Sequence, residues 1–68
     1  MSMSHYYCYL LDSEGKVRAR EVMEGADDGD AVEKARDYLA AHPLIPAVEV
    51  WFAERRVELL TQLHQAAS

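Results

Sequence analysis

The sequence has few of the residues that form the disulfides or metal sites by which very small domains are usually stabilised. Its 68 residues include a single cysteine, Cys8, so an intrachain disulfide is excluded, and no set of cysteines and histidines has zinc-ligand spacing. A domain of this size seldom gains more than about 3–5 kcal/mol from its core and needs a disulfide, a metal or a partner chain. A partner chain is the remaining choice, and a second copy is the simplest one.

The sequence also lacks long apolar runs and an excess of positive charge. No apolar stretch approaches the roughly 20 residues of a membrane span, and no basic segment followed by an apolar one opens the chain, so we expect neither a membrane anchor nor a signal peptide. The formal net charge of −5 disfavours duplex DNA and anionic membranes as partners. Together with the lone cysteine, these absences predict a cytoplasmic protein.

Half of the residues are apolar, which is enough for the chain to fold. Residues 5–11, His-Tyr-Tyr-Cys-Tyr-Leu-Leu, predict a strand that is apolar on both faces, with one face made by Tyr6, Cys8 and Leu10. A strand of this kind is usually central in its sheet. The following Asp-Ser-Glu-Gly, residues 12–15, predicts the turn of a β-hairpin.

The return strand, residues 16–24, is charged and predicts a sheet edge, where charge prevents pairing with other chains. Its alternation of apolar and charged residues slips at Val22 and Met23. A β-bulge near Arg20 and Glu21 would account for that slip.

The middle of the chain predicts one helix followed by one strand. Asp27 is a favourable N-cap, and the helix is expected to run to about His42 because Pro43 ends it. Residues 47–52 then alternate as a strand, with Glu49 and Trp51 on the face opposite to the apolar residues.

The last third of the chain allows two interpretations. Residues 53–67 have the spacing of an amphipathic helix, and helix propensity favours that interpretation. Alternatively, residues 53–55 turn the chain and residues 56–60 form a fourth strand, with Val57 and Leu59 pointing inward. The chain is interpreted as one domain over residues 1–68, with residues 1–4 and 62–68 loosely ordered.

A resemblance carried by three short motifs favours the strand. The motifs are Tyr-Leu-Leu-Asp at residues 9–12, Asp-Asp at 27–28, and Trp-Phe-Ala-Glu-Arg-Arg-Val at 51–57. On these motifs the chain resembles a family of short, uncharacterised bacterial proteins that end in a Trp-x-x-x-Arg-Arg-Val hairpin and have no assigned function. Most members carry glycine in the turn after the tryptophan, where this chain has Ala53. The resemblance implies an architecture and no catalytic residues.

The strand directions then predict an α+β fold of ββαββ type. Strand 3 is antiparallel to strand 1 and can lie beside it, so the expected antiparallel sheet has the order 2-1-3-4 with the helix on one face. This order places the doubly apolar first strand at the centre.

The face of the sheet that the helix leaves open is the candidate site. We expect it to hold six candidate interface residues: Tyr7, Tyr9, Leu11, Arg18, Glu49 and Trp51. A small monomer seldom exposes so apolar a face, and tyrosine, tryptophan and arginine are common interface anchors. The hypothesis is a homodimer, or binding of another protein, through this face. Two alternatives are a C-terminal tail that covers the face, and a platform that binds single-stranded nucleic acid or a small aromatic ligand.

No constellation of residues predicts catalysis, a metal or a cofactor. Cys8 and His5 lie three residues apart on a strand and so point to opposite faces. Asp27, Asp28 and Asp30 lack the continuation of a calcium loop and are explained by capping of the helix. We therefore expect a protein that is not an enzyme.

Overall fold

The computed structural model describes residues 3–62, which form a four-stranded antiparallel sheet and one helix. In chain order the elements are β1 (Ser4–Leu11), β2 (Val17–Gly25), α1 (Asp28–Ala41), β3 (Ala47–Phe52) and β4 (Arg55–Thr61). The strand order is β2-β1-β3-β4, and every neighbouring pair is antiparallel. The predicted fold class and strand order are confirmed.

The described part of the chain begins and ends close to regular structure. Ser4 is the first residue of β1. The Gln62 side chain donates hydrogen bonds to the backbone carbonyls of Leu39 and His42, at 2.6 and 3.0 Å. Residues 55–61 are a strand rather than part of a C-terminal helix. Residues 1–2 and 63–68 lie outside the described part of the chain, and so does the remainder of that helical alternative.

The first hairpin is closed by the side chain of Asp12. Its carboxylate accepts hydrogen bonds from the backbone N–H groups of Glu14 and Lys16, at 2.8 and 2.9 Å. These bonds, chiefly the one from Lys16, lower the pKa of Asp12. Gly15 takes a φ of 82°, which a residue with a side chain adopts only with strain.

The β-bulge in β2 lies at Arg18, not near Arg20 and Glu21 as the sequence indicated. Leu10 pairs with Ala19 and Leu11 pairs with Val17, so Arg18 is the extra residue. Beyond the bulge the alternation is regular through Gly25. The apolar Val22 and Met23 therefore occupy opposite faces of an uninterrupted strand, and their adjacency marks no slip.

The helix begins as the sequence predicts. The Asp27 carboxylate accepts a hydrogen bond from the backbone N–H of Asp30 at 2.8 Å, and the Asp30 carboxylate accepts one from Ala26 at 2.9 Å. This reciprocal pair satisfies backbone donors that the first helical turn leaves free. It also explains the lowered pKa of Asp30, whose largest cause is the bond from Ala26.

The core lies between the helix and the inner face of the sheet. The helix contributes Ala31, Ala35 and Leu39 to this core, and all three are fully buried. The backbone of Gly25 approaches Ala31 so closely that a Cβ atom at Gly25 would lie 3.2 Å from the Ala31 Cβ. The alanines and this glycine let the helix lie directly on the sheet.

A buried tyrosine links the sheet to the start of the helix. The Tyr6 hydroxyl donates to the Asp28 carboxylate at 2.8 Å, and Arg55 donates to the other oxygen of the same carboxylate at 3.1 Å. Burial of Tyr6 and this bond raise the pKa of the phenol, whereas the bonds from Tyr6 and Arg55 lower the pKa of Asp28. The Tyr6 ring packs against the Phe52 ring, with 5.0 Å between the ring centres.

A second bulge, at Val57, decides which side chains of β4 face the core. Val50 pairs with Glu58 and Trp51 pairs with Arg56, so Val57 is the extra residue. Val57 packs against the core, as expected, but Leu60 is the buried leucine and Leu59 faces outward. The expectation that Leu59 points inward is therefore wrong, because the bulge shifts the alternation by one residue.

Candidate functional site

The sheet face opposite the helix, called the outer face from here on, carries side chains from all four strands. Strand pairing assigns these residues to it: His5, Tyr7, Tyr9 and Leu11; Val17, Arg20, Val22 and Glu24; Ala47, Glu49 and Trp51; Arg56, Leu59 and Thr61. Val17, Val22 and Leu59 are exposed to 54%, 55% and 41%. No helix packs over this face within residues 3–62, so the described part of the chain leaves it open. The alternative that the C-terminal tail covers it falls on residues 63–68, which lie outside the described residues.

Five of the six candidate residues lie where the sequence placed them. Tyr7, Tyr9, Glu49 and Trp51 are half-buried on the outer face. Leu11 lies between Val17 and Ala47 on the same face but is only 8% exposed. Leu11 therefore packs beneath this surface and contributes little exposed area to it.

The arginine that β2 contributes to the outer face is Arg20, not Arg18. Arg18 is the bulge residue of β2, whereas the Arg20 guanidinium lies 5.1 Å from the centre of the Tyr7 ring. This is a cation–π contact, which stabilises an exposed pair by about 0.5–1 kcal/mol. Sequence reasoning included Arg18 in the interface set because it placed the bulge near Arg20 and Glu21, later in the strand than where it falls.

A network of aromatic and charged side chains occupies the other half of the outer face. The Trp51 indole N–H donates to one oxygen of Glu49 at 3.2 Å, and Arg56 donates to the other oxygen at 3.1 Å. The rings of Tyr9 and Trp51 are 6.2 Å apart between centres, and their planes are nearly perpendicular, at 88°. The Glu49 side chain is 21% exposed and is held in place from two sides.

These side chains enclose a shallow pocket of about 200 Å³ on the outer face. It is lined by Tyr9, Val17, Glu49 and Trp51. Val17 enters the lining because the Arg18 bulge sets it opposite Leu11. The pocket is thus assembled from three strands, and no local sequence pattern identifies it.

Charge on the outer face is balanced. Arg20 and Arg56 are matched by Glu24 and Glu49. The net charge of −5 therefore arises from residues outside this face.

Both edges of the sheet carry features that oppose pairing with another strand. The bulges at Arg18 in β2 and Val57 in β4 interrupt the regular ladder at each edge. At the end of β2, the Lys34 ammonium donates to the backbone carbonyl of Glu24 at 2.6 Å and so occupies one edge acceptor.

The side chains of Cys8 and His5, the candidate pair for thiol chemistry, do not come together. Cys8 is buried in the core, where desolvation and the nearby Glu21 raise the pKa of its thiol to about 11. His5 lies on the opposite face and pairs with Glu24 at 3.4 Å. Within residues 3–62, no three histidine, cysteine or acidic side chains are grouped as ligands of a metal ion.

Comparison with known proteins assigns no family to the chain. No family model, curated protein sequence or solved structure matches it. In the described part of the chain, no helix is both long and apolar enough to cross a membrane. The proposals below therefore rest on the geometry of the outer face.

Proposed function

We propose that this chain is a non-catalytic interaction module whose outer face stacks on the outer face of a second copy. The observation that carries the proposal is the open apolar face itself: Val17, Val22 and Leu59 are exposed beside three half-buried aromatic residues. Small domains whose cores provide little stability commonly gain more by covering such a face with a partner. The buried free thiol of Cys8 favours a reducing, cytoplasmic setting.

The size of the outer face supports a weak dimer rather than a permanent one. Four strands about 4.8 Å apart and about seven residues long cover roughly 20 by 23 Å. Two stacked copies would therefore bury on the order of 1,000 Å² in total, which lies at the lower end of specific interfaces. We expect the dimer to dissociate on dilution.

The charge distribution also favours this face as the contact. Two copies that each carry a net charge of −5 repel one another, so they associate most easily through a region without net charge. The outer face meets this condition, because its arginines and glutamates balance. The bulged edges favour stacking of faces over pairing of strands.

A single-stranded nucleic-acid platform has less support. The Tyr7 ring is already in contact with Arg20, and the Glu49 carboxylate lies beside Trp51. Bases would have to displace the first contact, and phosphates would be repelled by the second. The alternative of a small ligand retains one observation in its favour, the pocket beside Trp51.

The decisive experiment measures molar mass by light scattering over about a hundredfold dilution, with Val22→Lys as the test variant. Val22 is 55% exposed on the outer face, whereas the matched control Leu44→Lys changes a residue that is 94% exposed in the connector before β3. Both variants reduce the net negative charge by one unit. We expect Val22→Lys to weaken the dimer by about tenfold or more, since a charge placed in the contact must lose its hydration.

Two results would contradict the proposal. The wild-type chain could remain monomeric at the highest concentration, or Val22→Lys and Leu44→Lys could dimerise equally well. Circular dichroism of both variants checks that the fold is intact.

A further inference from the structure

We propose that the pocket formed by Tyr9, Trp51 and Glu49 binds a small quaternary ammonium cation. The pocket is complete within one chain, so a bound cation needs no partner chain, and a dimer stacked through the outer face would compete with it. Under this proposal the outer face binds a small ligand in addition to a second copy of the chain.

The spacing and the inclination of the two aromatic rings are compatible with such a cation. A cation that touches the faces of two perpendicular rings, about 4–5 Å from each centre, needs centres about 6–7 Å apart. Tyr9 and Trp51 meet both conditions, with planes at 88° and centres 6.2 Å apart. Both rings line the pocket.

The remaining lining supplies negative charge and sets the size of the ligand. Glu49 lines the pocket, and its carboxylate accepts a hydrogen bond from the indole N–H of Trp51. A volume of about 200 Å³ is below the roughly 300–1,000 Å³ of pockets for drug-sized ligands. A compact ammonium group therefore fits better than an extended aromatic ligand, which would gain nothing from the carboxylate.

The neighbouring side chains suggest how the site is tuned. Arg20 occupies the Tyr7 ring, which shows that an aromatic ring of this face already holds a cation. Arg56 pairs with Glu49 at 3.1 Å and is half-exposed. It competes with a bound cation for the carboxylate, so its removal should strengthen binding.

Fluorescence of Trp51, which is the only tryptophan, gives a direct measurement. The probe is choline, titrated at constant ionic strength into dilute protein. The control ligand is 3,3-dimethyl-1-butanol, which has the same shape without the charge. We expect choline to bind at least about fivefold more tightly than the neutral alcohol.

The variants predict changes of opposite sign. Glu49→Gln keeps an acceptor for the indole N–H but loses the charge, and Tyr9→Leu removes one ring, so both should weaken choline binding by about fivefold. Arg56→Gln should strengthen it by about two- to fivefold. Glu24→Gln is the matched control, because Glu24 lies on the same face outside the pocket, and it should leave binding unchanged.

The proposal is overturned if choline and the alcohol give the same response, or if Arg56→Gln and Glu49→Gln change the affinity in the same direction. Repeating the titration with the Val22→Lys variant separates the two proposals. Choline binding that persists in a monomeric variant supports the pocket alone. A chain that dimerises but does not discriminate choline from the alcohol supports the dimer alone.

Discussion

The two faces of the sheet carry similar side chains but differ in how far those side chains are exposed. Strand β1 contributes Tyr6 and Cys8 to the inner face, where both are almost fully buried. It contributes Tyr7 and Tyr9 to the outer face, where both remain half-exposed. The difference arises from what packs above each face, because a single helix can cover only one of them.

The comparison shows that apolar character alone does not indicate how a face is covered. On the inner face, the small residues Ala31 and Ala35 bring the helix close and seal the core. On the outer face, the aromatic rings are held by Arg20, Glu49 and Arg56 instead of by a packed layer. The outer face is thus partly stabilised by its own polar contacts.

The largest difference between the faces is expected from leucine truncation. Leu39→Ala removes a fully buried side chain and should lower the free energy of unfolding by about 2–5 kcal/mol, comparable to the whole stability of a domain this small. Leu59→Ala, on the outer face and 41% exposed, should lower it by less than about 1 kcal/mol.

Urea unfolding followed by circular dichroism at low protein concentration measures both variants. If Leu59→Ala were as destabilising as Leu39→Ala under these conditions, the outer face would be packed in the monomer, and the contrast between the faces would be lost.

The second largest difference between the two faces is expected in the reactivity of a thiol placed on each. Cys8 is buried and its pKa is raised to about 11, so the native thiol should react about a hundred- to a thousandfold more slowly than in urea, since reaction requires opening of the fold. A thiol introduced by Val22→Cys should react at nearly the rate of the unfolded chain. Mass spectrometry of the variant resolves the two sites.

Equal rates at Cys8 and at the introduced thiol would contradict the assigned faces. Slower modification of the introduced thiol at high protein concentration, with Cys8 unaffected, would be the additional sign of a dimer through the outer face.

The smallest effect is expected at a position that belongs to neither face. Ala53, in the two-residue turn between β3 and β4, has a φ of 55°, which favours glycine. Ala53→Gly should therefore raise the free energy of unfolding by about 0.5–1 kcal/mol. Thermal unfolding measures the change. Ala40→Gly, on the exposed side of the helix, is the control and should lower stability by a similar amount; the same sign for both would contradict the turn assignment.

Much of the fold could be predicted because it depends on local signals. The N-cap at Asp27, the helix stop at Pro43 and the alternation of residues 47–52 all act over a few residues, and each prediction is confirmed. The form of residues 55–61 could not be predicted from propensity, because these residues favour a helix. Pairing with β3 outweighs that preference and makes them a strand.

The candidate site was predictable in outline but not in detail. Alternation along β1 and β3 places Tyr7, Tyr9 and Trp51 on one face without any tertiary information. The partners of these rings on the edge strands depend on where the bulges fall, and a bulge has a weak sequence signal. For that reason the bulge residue Arg18 was included in the interface set, and Leu59 was assigned to the wrong face.

The amino-acid sequence by itself determined the first three strands, the helix and the two-sided apolar character of the central strand, because periodicity and caps act between near neighbours. Only the tertiary structure decided where each bulge falls and which residues form the pocket. These features depend on contacts between strands far apart in the chain, and a shift of one residue in pairing moves a side chain to the other face.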